Sequence, residues 1–484
     1  SLVLNGNSII AYSMPATDIA KARGCLLIAS GNYTTNVPTL GIINNVKITV
    51  TVTTPISTED FTAGIFGGDL RPDFAVRFFV PLNTTAIALK MESTASDATA
   101  TLDNVSFTIR QVNATVTTCE KTAALDRLPS PLRGAMVHPR KPFTATDAQE
   151  LGKNGWKGNL VRWQMIENPL IPNYDAWLQD EIARLDAMLP DLRANNLAVV
   201  IDLHNPPGKG SWATGNMTLP KADLFKDSNC QNKLIQTWQL LANHYKGEKA
   251  VFGYDLANEP IDRHMSAQGS DIVPADVYDW WELADRTAQA IRQIDPEIPI
   301  IYENSPGGVP SSFWKNLHPL TVQNVIYSIH MYMPYEFTHQ GVPGTSHASD
   351  PVFGYNTSFL NSTWLNGQLY WVKMFQDRYD ARIYVGEFSA VRWAGNARDQ
   401  SGSSSEASAH SYLRDVINIF ESRGWDWSYH AFRENSCFSV EYDGSYSNKQ
   451  LIQNINYATP DRDKNRVELL LYQFKLNNQF LPLQ

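Results

Sequence analysis

The sequence predicts an α/β protein: a (β/α)8 TIM barrel preceded by a smaller, jelly-roll-like all-β sandwich. Three observations carry this. Residues 1–118 hold short alternating runs of Thr, Val, Ile and Ala with little helical signal, whereas beyond residue 133 eight short apolar runs alternate with helical stretches. Such alternation implies a parallel sheet with crossover helices, and eight units within about 350 residues favour a closed barrel over an open sheet. Finally, polar side chains recur at the ends of the apolar runs, where a barrel gathers them at one mouth.

In the N-terminal part, Val46 to Val52 alternates with period two, and Phe74 to Val80, Thr85 to Met91 and Val105 to Arg110 follow at the spacing of a sandwich. A short helix is expected near Thr17 to Ala22. Residues 119–132, with Pro129 and Pro131, read as a linker. Residues 133–484 then form the barrel. Its strands are expected at Gly134 to His138, Leu160 to Trp163, Leu197 to Leu203, Val251 to Leu256, Ile298 to Tyr302, Val325 to Tyr332, Ile383 to Phe388 and Trp427 to Phe432. Helices are expected at Tyr174 to Leu192, Asn232 to Tyr245, Ala275 to Ile294, Leu365 to Tyr379, Ser408 to Arg423 and Asp461 to Leu476. No glycine-rich phosphate loop follows the first strand, which disfavours a dinucleotide fold.

Composition narrows the function. The chain has 484 residues, 43% of them hydrophobic, and a net charge of −9 without any block of like charge, so nucleic acid and anionic membrane surfaces are poor partners. No apolar run approaches the ~20 residues of a membrane span, and the opening Ser1-Leu2-Val3-Leu4 lacks the shape of a signal peptide. An extracellular location is still expected, with any export signal absent from this sequence. Four cysteines are too few for a disulfide scaffold; Cys25 with Cys119 and Cys230 with Cys437 are candidate pairs, with free thiols the alternative. With 13 Trp, 20 Tyr and 20 Phe, the chain has flat apolar faces to stack against a ligand.

The stretch Gly253-Tyr254-Asp255-Leu256-Ala257-Asn258-Glu259-Pro260 ends a strand in an amide and a carboxylate, and Pro260 stops its continuation. Glu387 ends the seventh strand. Two carboxylates facing each other across a barrel mouth suit glycoside hydrolysis, in which one gives a proton to the leaving oxygen while the other stays ionised and attacks the anomeric carbon. Arg162 and the Tyr332 hydroxyl are placed to hydrogen-bond Glu387 and keep it ionised, and Asn258 to hold a sugar hydroxyl. A two-metal hydrolase would call for more Asp and His at these ends, so no metal or organic cofactor is expected.

Together, Asn258-Glu259-Pro260, Gly386-Glu387-Phe388, Val161-Arg162, Asp202-Leu203-His204 and His330-Met331-Tyr332 resemble glycoside hydrolase family 5, the cellulase-like retaining enzymes. The resemblance covers residues 133 to 484. It implies Glu259 as acid/base, Glu387 as nucleophile, and Arg162, His204, Asn258, His330 and Tyr332 as lining of the cleavage subsite. Members usually place a tryptophan at the end of strand eight to stack under the sugar; here Phe432 or His430 is the candidate for that place. Trp212, after strand three, and Trp393, after strand seven, are candidates for neighbouring subsites. The sandwich, with Tyr12 and Tyr33 and no Trp, is read as a carbohydrate-binding or an assembly module. The expected substrate is a polysaccharide or oligosaccharide, with endo-β-1,4-glucanase the default activity. Mannan, a furanoside-containing glycan or a bacterial exopolysaccharide remain alternatives, as does a non-catalytic glycan-binding protein with a relic barrel.

Overall fold

The computed structural model describes residues 2–5, 9–35, 41–67, 73–93, 99–110, 118–123, 125, 130–140, 143–167, 173–208, 223–225, 227–262, 277–312, 317–350, 354–355, 357–395, 404–434, 437–441 and 466–477. Its N-terminal part runs β1 (Leu2–Asn5), β2 (Ile9–Ser13), α1 (Ala16–Ala22), β3 (Leu26–Thr35), β4 (Gly41–Thr53), β5 (Thr58–Gly67), β6 (Asp73–Phe79), β7 (Ala86–Ser93) and β8 (Thr99–Arg110). These strands form two four-stranded sheets in the orders β1-β8-β3-β6 and β2-β7-β4-β5, the arrangement of a jelly roll. Alternate residues such as Val50 and Val52, and Ile87, Leu89 and Met91, turn inward to a core that Leu27, Ala29 and Phe78 share.

The barrel follows as β9 (Arg133–Val137), α2 (Ala145–Leu151), β10 (Leu160–Gln164), α3 (Tyr174–Ala194), β11 (Ala198–Asp202), α4 (Ser228–Tyr245), β12 (Val251–Asp255), α5 (Trp280–Arg292), β13 (Ile300–Glu303) and β14 (Val325–Met331). It ends with α6 (Tyr335–Thr338), α7 (Ser362–Gln368), α8 (Tyr370–Tyr379), β15 (Arg382–Phe388), α9 (Ser404–Ser422), β16 (Asp426–Tyr429) and α10 (Arg466–Phe474). Strands β9 to β16 close into one parallel barrel. Helix starts carry the expected chemistry: Thr144 and Asp147 form a capping box at α2, and Asn173 and Asp279 cap α3 and α5.

The interior of the barrel is layered. Leu160, Ala198, Val200, Phe252, Ile301, Ile326 and Tyr384 fill its lower part. Higher up, toward the carboxyl ends of the strands, lie Arg162, Asp202, Asp255, Glu303, His330 and Glu387, all buried. The apolar layer closes the barrel from below and leaves the polar layer open only toward the mouth. Residues before β9 are strapped to the base: the Cys119 amide donates to the Tyr379 carbonyl, and the Asn324 side chain accepts from the Thr122 amide at 2.7 Å. Phe79, ending the sandwich's β6, packs edge-on against Trp281 with centroids 4.5 Å apart, and lies 4.6 Å from the His318 ring.

Three expectations are corrected. The last strand stops at Tyr429, short of Phe432, which is packed between Phe143 and Trp156, and Arg433 beyond it adopts a left-handed φ of 57°. One expected helix over Leu365 to Tyr379 is broken at Leu369 into α7 and α8. All four cysteines are free thiols, so neither candidate disulfide forms; burial pushes the Cys119 thiol up to about 11.

A Cβ on Gly134 in β9 would fall 1.9 Å from the Leu160 carbonyl oxygen of β10, while one on Gly367 in α7 meets nothing within 4 Å. Gly134→Ala is expected to destabilise the protein by about 1–3 kcal/mol, and Gly367→Ala to stabilise it by about 0.5–1 kcal/mol. Denaturant unfolding of both variants checks the contrast.

Candidate active site

The mouth of the barrel is organised by a guanidinium. Arg162 is fully buried in β10 and faces four carboxylates: Asp202 at 3.2 Å, Asp255 at 2.9 Å, Glu303 at 2.8 Å and Glu387 at 2.6 Å. Its Nη2 also donates to Asn258 Oδ1 at 3.0 Å. A guanidinium only donates, so this contact sets the orientation of the Asn258 amide. The Asn258 Nδ2 group then lies 3.1 Å from His204 Nε2, which must accept, leaving the imidazole proton on Nδ1, 2.8 Å from Asp202.

Glu387 receives a second hydrogen bond, from the Tyr332 hydroxyl at 3.0 Å. Burial alone would raise its pKa; the charges of His330, Arg162 and His430 outweigh that and hold the carboxyl well below its usual range. Asp255 is the opposite case. Burial and then the charge of Glu303 push its pKa far up against the pull of Arg162.

His330 joins the two sides of the mouth. Its Nδ1 lies 2.8 Å from Glu259 Oε1 and its Nε2 3.1 Å from Glu303 Oε1, so both nitrogens face carboxylates. Burial would lower its pKa, but the charges of Glu303 and Glu387 and the bonds to Glu259 and Glu303 raise it well above the ordinary imidazole value. A register shift makes this possible: Ile329 pairs with Val385, but His330 pairs with Glu387, so Gly386 is the extra residue of a bulge. A Cβ on Gly386 would lie 3.1 Å from His330 Nε2, so only glycine leaves the ring its space without a shift.

Glu259 lies just past β12 with a left-handed φ of 43°, a strained conformation for a residue with a side chain. Its amide donates to Glu303 Oε2 at 2.9 Å, which anchors the turn and sends the carboxyl across the mouth. Oxygens of Glu259 and Glu387 come within 4.8 Å of each other. Glu259 is 26% exposed and Glu387 only 7%, so one carboxyl reaches solvent and the other is enclosed. Atoms of Glu259, His330 and Glu387 are close enough to share a cation, but the positive charge here is already supplied by Arg162 and His330.

Residues 126–436 match the family model of the glycosyl hydrolase family 5 cellulases. The chain belongs to glycosyl hydrolase family 5. This family 5 chain is 24% identical over 248 residues to endoglucanase C of Acetivibrio thermocellus, covering 45% of this chain and 66% of that protein. It is 26% identical over 245 residues to cellodextrinase A of Ruminococcus flavefaciens, covering 49% and 66%. The chain therefore spans just under two thirds of the length of these relatives. Among solved structures, Thermotoga maritima Cel5A in complex with cellobiose aligns with a TM-score of 0.52 at 20% identity, over 72% of this chain and 98% of that one. The cellulose synthase subunit Z of Clostridioides difficile aligns at 0.50 and 17%, over 71% and 99%. Both likenesses show the barrel fold.

The structure brings Arg162, His204, Asn258, Glu259, His330, Tyr332 and Glu387 of this family 5 chain into one cluster. It does not bring all of the aromatic candidates there. Phe432 is packed edge-on between Phe143 and Trp156 and is 2% exposed, so it offers no face to a sugar. Trp393 is 3% exposed, and its indole N–H donates to the Gln340 carbonyl at 2.7 Å, which makes it part of the packing behind the mouth. Trp212 lies outside the described residues. Arg162 is sealed beneath the floor and touches Glu387 instead of open space. Glu303 is the residue sequence reasoning passes over, because Tyr302 is taken as the end of its strand. The available signal is a carboxylate ending a buried apolar run, as at Glu387.

Glu303→Gln removes the anion shared by Arg162 and His330 and is expected to destabilise the fold by about 3–5 kcal/mol, read by denaturant unfolding. Stability should also depend on pH in two directions. Glu387, with its folded pKa depressed, contributes stability that is complete above about 4.3 and lost as pH falls through the folded value. His330, with its folded pKa raised, contributes stability that is complete below about 6.5 and lost as pH rises through the folded value. Both contributions are complete between these limits. The melting-temperature gap between wild type and Glu387→Gln should narrow as pH drops below about 4; a gap that stays constant contradicts the assignment.

Proposed function

We propose that this chain hydrolyses β-glycosidic bonds of a polysaccharide with retention of configuration, using Glu387 as nucleophile and Glu259 as acid/base. The approach of the two carboxyls to within 4.8 Å carries this reading. Retaining enzymes hold their carboxyl groups about 5–5.5 Å apart and inverting ones about 6.5–9.5 Å, with a water between. Glu387, ionised and held by Arg162 and Tyr332, attacks the anomeric carbon while Glu259 gives a proton to the departing oxygen. A glycosyl ester forms on Glu387. Glu259 then takes a proton from the incoming water, which displaces the sugar and restores Glu387. Using up the charge of Glu387 in the first step leaves His330 facing Glu259 and Glu303, so a cation remains beside the group that must next act as a base.

The proposed substrate is β-1,4-glucan, cleaved internally, in keeping with the endoglucanase names of the relatives. A specific observation keeps other glycans in view: β16 is followed by His430, with no indole in the first positions past the strand. Mannan, a furanoside-containing glycan and bacterial exopolysaccharide therefore belong in the assay. A polymeric substrate places the reaction outside the cell. The sandwich is read as a support, since Phe79 is locked against Trp281 and Tyr12 is its exposed aromatic among the described residues.

Glu387→Ala is expected to remain folded, though less stable than wild type, and to lose turnover by at least about a thousandfold on the best of these polysaccharides. Proton NMR of fresh products should show the β anomer first. Initial release of the α anomer, or undiminished hydrolysis by Glu387→Ala, overturns the mechanism, and cleavage of mannan or exopolysaccharide in place of glucan overturns the substrate.

A further inference from the structure

Beyond the two carboxyls, a chain of polar contacts leaves the mouth through the end of the eighth strand. His430 is pinned by its backbone, whose amide donates to the Phe388 carbonyl at 3.0 Å, one residue past Glu387. Its Nδ1 lies 2.7 Å from the Tyr332 hydroxyl, which lies 3.0 Å from Glu387 Oε2. Its Nε2 lies 3.5 Å from Glu434, four residues on, and Glu434 accepts from Gln164 at 2.8 Å. The side chains of His430 and Glu434 are 16% and 10% exposed. Phe438 packs on the imidazole with ring centroids 5.3 Å apart, so the ring is held on several sides.

We propose that His430 and Glu434 are positioning residues that set the direction of the Tyr332 hydrogen bond to Glu387. This rests on the catalytic reading of Glu387 given above. A phenol has one proton to give, and an ionised carboxylate only accepts. When His430 carries protons on both nitrogens, Nδ1–H donates to the Tyr332 oxygen, Nε2–H faces Glu434, and the hydroxyl proton is committed to Glu387. When His430 is neutral with its proton toward Glu434, the bare Nδ1 competes for that same proton at the shorter distance. The nucleophile then loses one of its two supports.

The charges around His430 favour the first state. Burial opposes it, but Glu434 and then Glu387 raise the imidazole's pKa against the opposing charge of His330. Glu434 is itself drawn down to about 2, chiefly by His430 with help from His138 and Gln164 against the effect of burial. At the end of α6, His339 is held near 4 by burial and adds no charge at neutral pH. Arg433, next to Glu434, is occupied by Asp147, Glu150 and Glu441. Tyr332 is raised far above the ordinary phenol value by burial and by Glu387, so it keeps its proton throughout.

The test uses the full chain and dinitrophenyl β-cellobioside, whose leaving group departs without a proton, so the alkaline limb of kcat/KM reports on the Glu387 side and not on Glu259. Glu434→Gln is expected to shift that limb down by about one pH unit or more. Above it, kcat/KM should fall about tenfold, the loss of one hydrogen bond to a charged group. Nitrogen NMR should show His430 titrating at a correspondingly lower pH in Glu434→Gln, and this readout does not require turnover. An unmoved limb or an unmoved His430 titration overturns the proposal. If Glu434→Gln does not fold, the wild-type titration decides alone: a His430 that is neutral throughout about pH 5–8 overturns it, and one that is doubly protonated there supports it. Glu387→Ala measured alongside separates the two readings, because its activity bears on the nucleophile and the His430 titration on the relay.

Discussion

The structure depends on one buried charge. Arg162 lies at the centre of the barrel's upper layer with no exposure, and an isolated guanidinium there would be prohibitively costly. It is tolerated because Asp202, Asp255, Glu303 and Glu387 converge on it from four other strands. Such clusters seldom add stability over an apolar core of equal volume. Here the return is geometric, because a planar fork with five donors leaves each partner few orientations. Glu387 and Asn258 are fixed directly, and His204 is fixed through Asn258.

The same economy explains why Glu303 touches everything around it. One oxygen bridges Arg162 and His330, while the other accepts the amide of Glu259. The partners of the two mouth carboxyls therefore share one anion, and the strained backbone of Glu259 is held by the same side chain. Gly308, at φ 64°, follows from this. A Cβ there would lie 2.8 Å from Glu303 Oε2, so the loop can close over the carboxylate only with glycine at that position. Strain at Glu259 and crowding at Gly308 and Gly386 are costs concentrated within one layer, and the apolar layer below supplies the rigidity that sustains them.

Much of this was legible in the sequence because barrels write themselves in a simple code. The eight strands are short and predominantly apolar, as strands covered on both faces tend to be, and a polar residue at a carboxyl end has the mouth to face. Glu259 and Glu387 stand out for that reason. What the code omits is depth. Arg162 and Phe432 both occur near strand ends, yet the first lies below the floor and the second beyond the strand, wedged between Phe143 and Trp156. Periodicity assigns a side chain to a face but does not say how far up the barrel that face opens. Nor does it reveal the bulge at Gly386, whose single extra residue brings His330 opposite Glu387.

The end of β16 shows how a change at one position alters the character of a whole site. An aromatic ring there would contribute a flat apolar surface and no charge. His430 instead contributes an imidazole whose pKa Glu434 and Glu387 raise against burial, and Glu434, Tyr332 and Phe438 hold its ring in place. Both nitrogens of the ring already face partners, Tyr332 on one side and Glu434 on the other. The link of the ring to Glu387 runs through the Tyr332 hydroxyl, so a change at His430 reaches that carboxyl by way of one hydrogen bond.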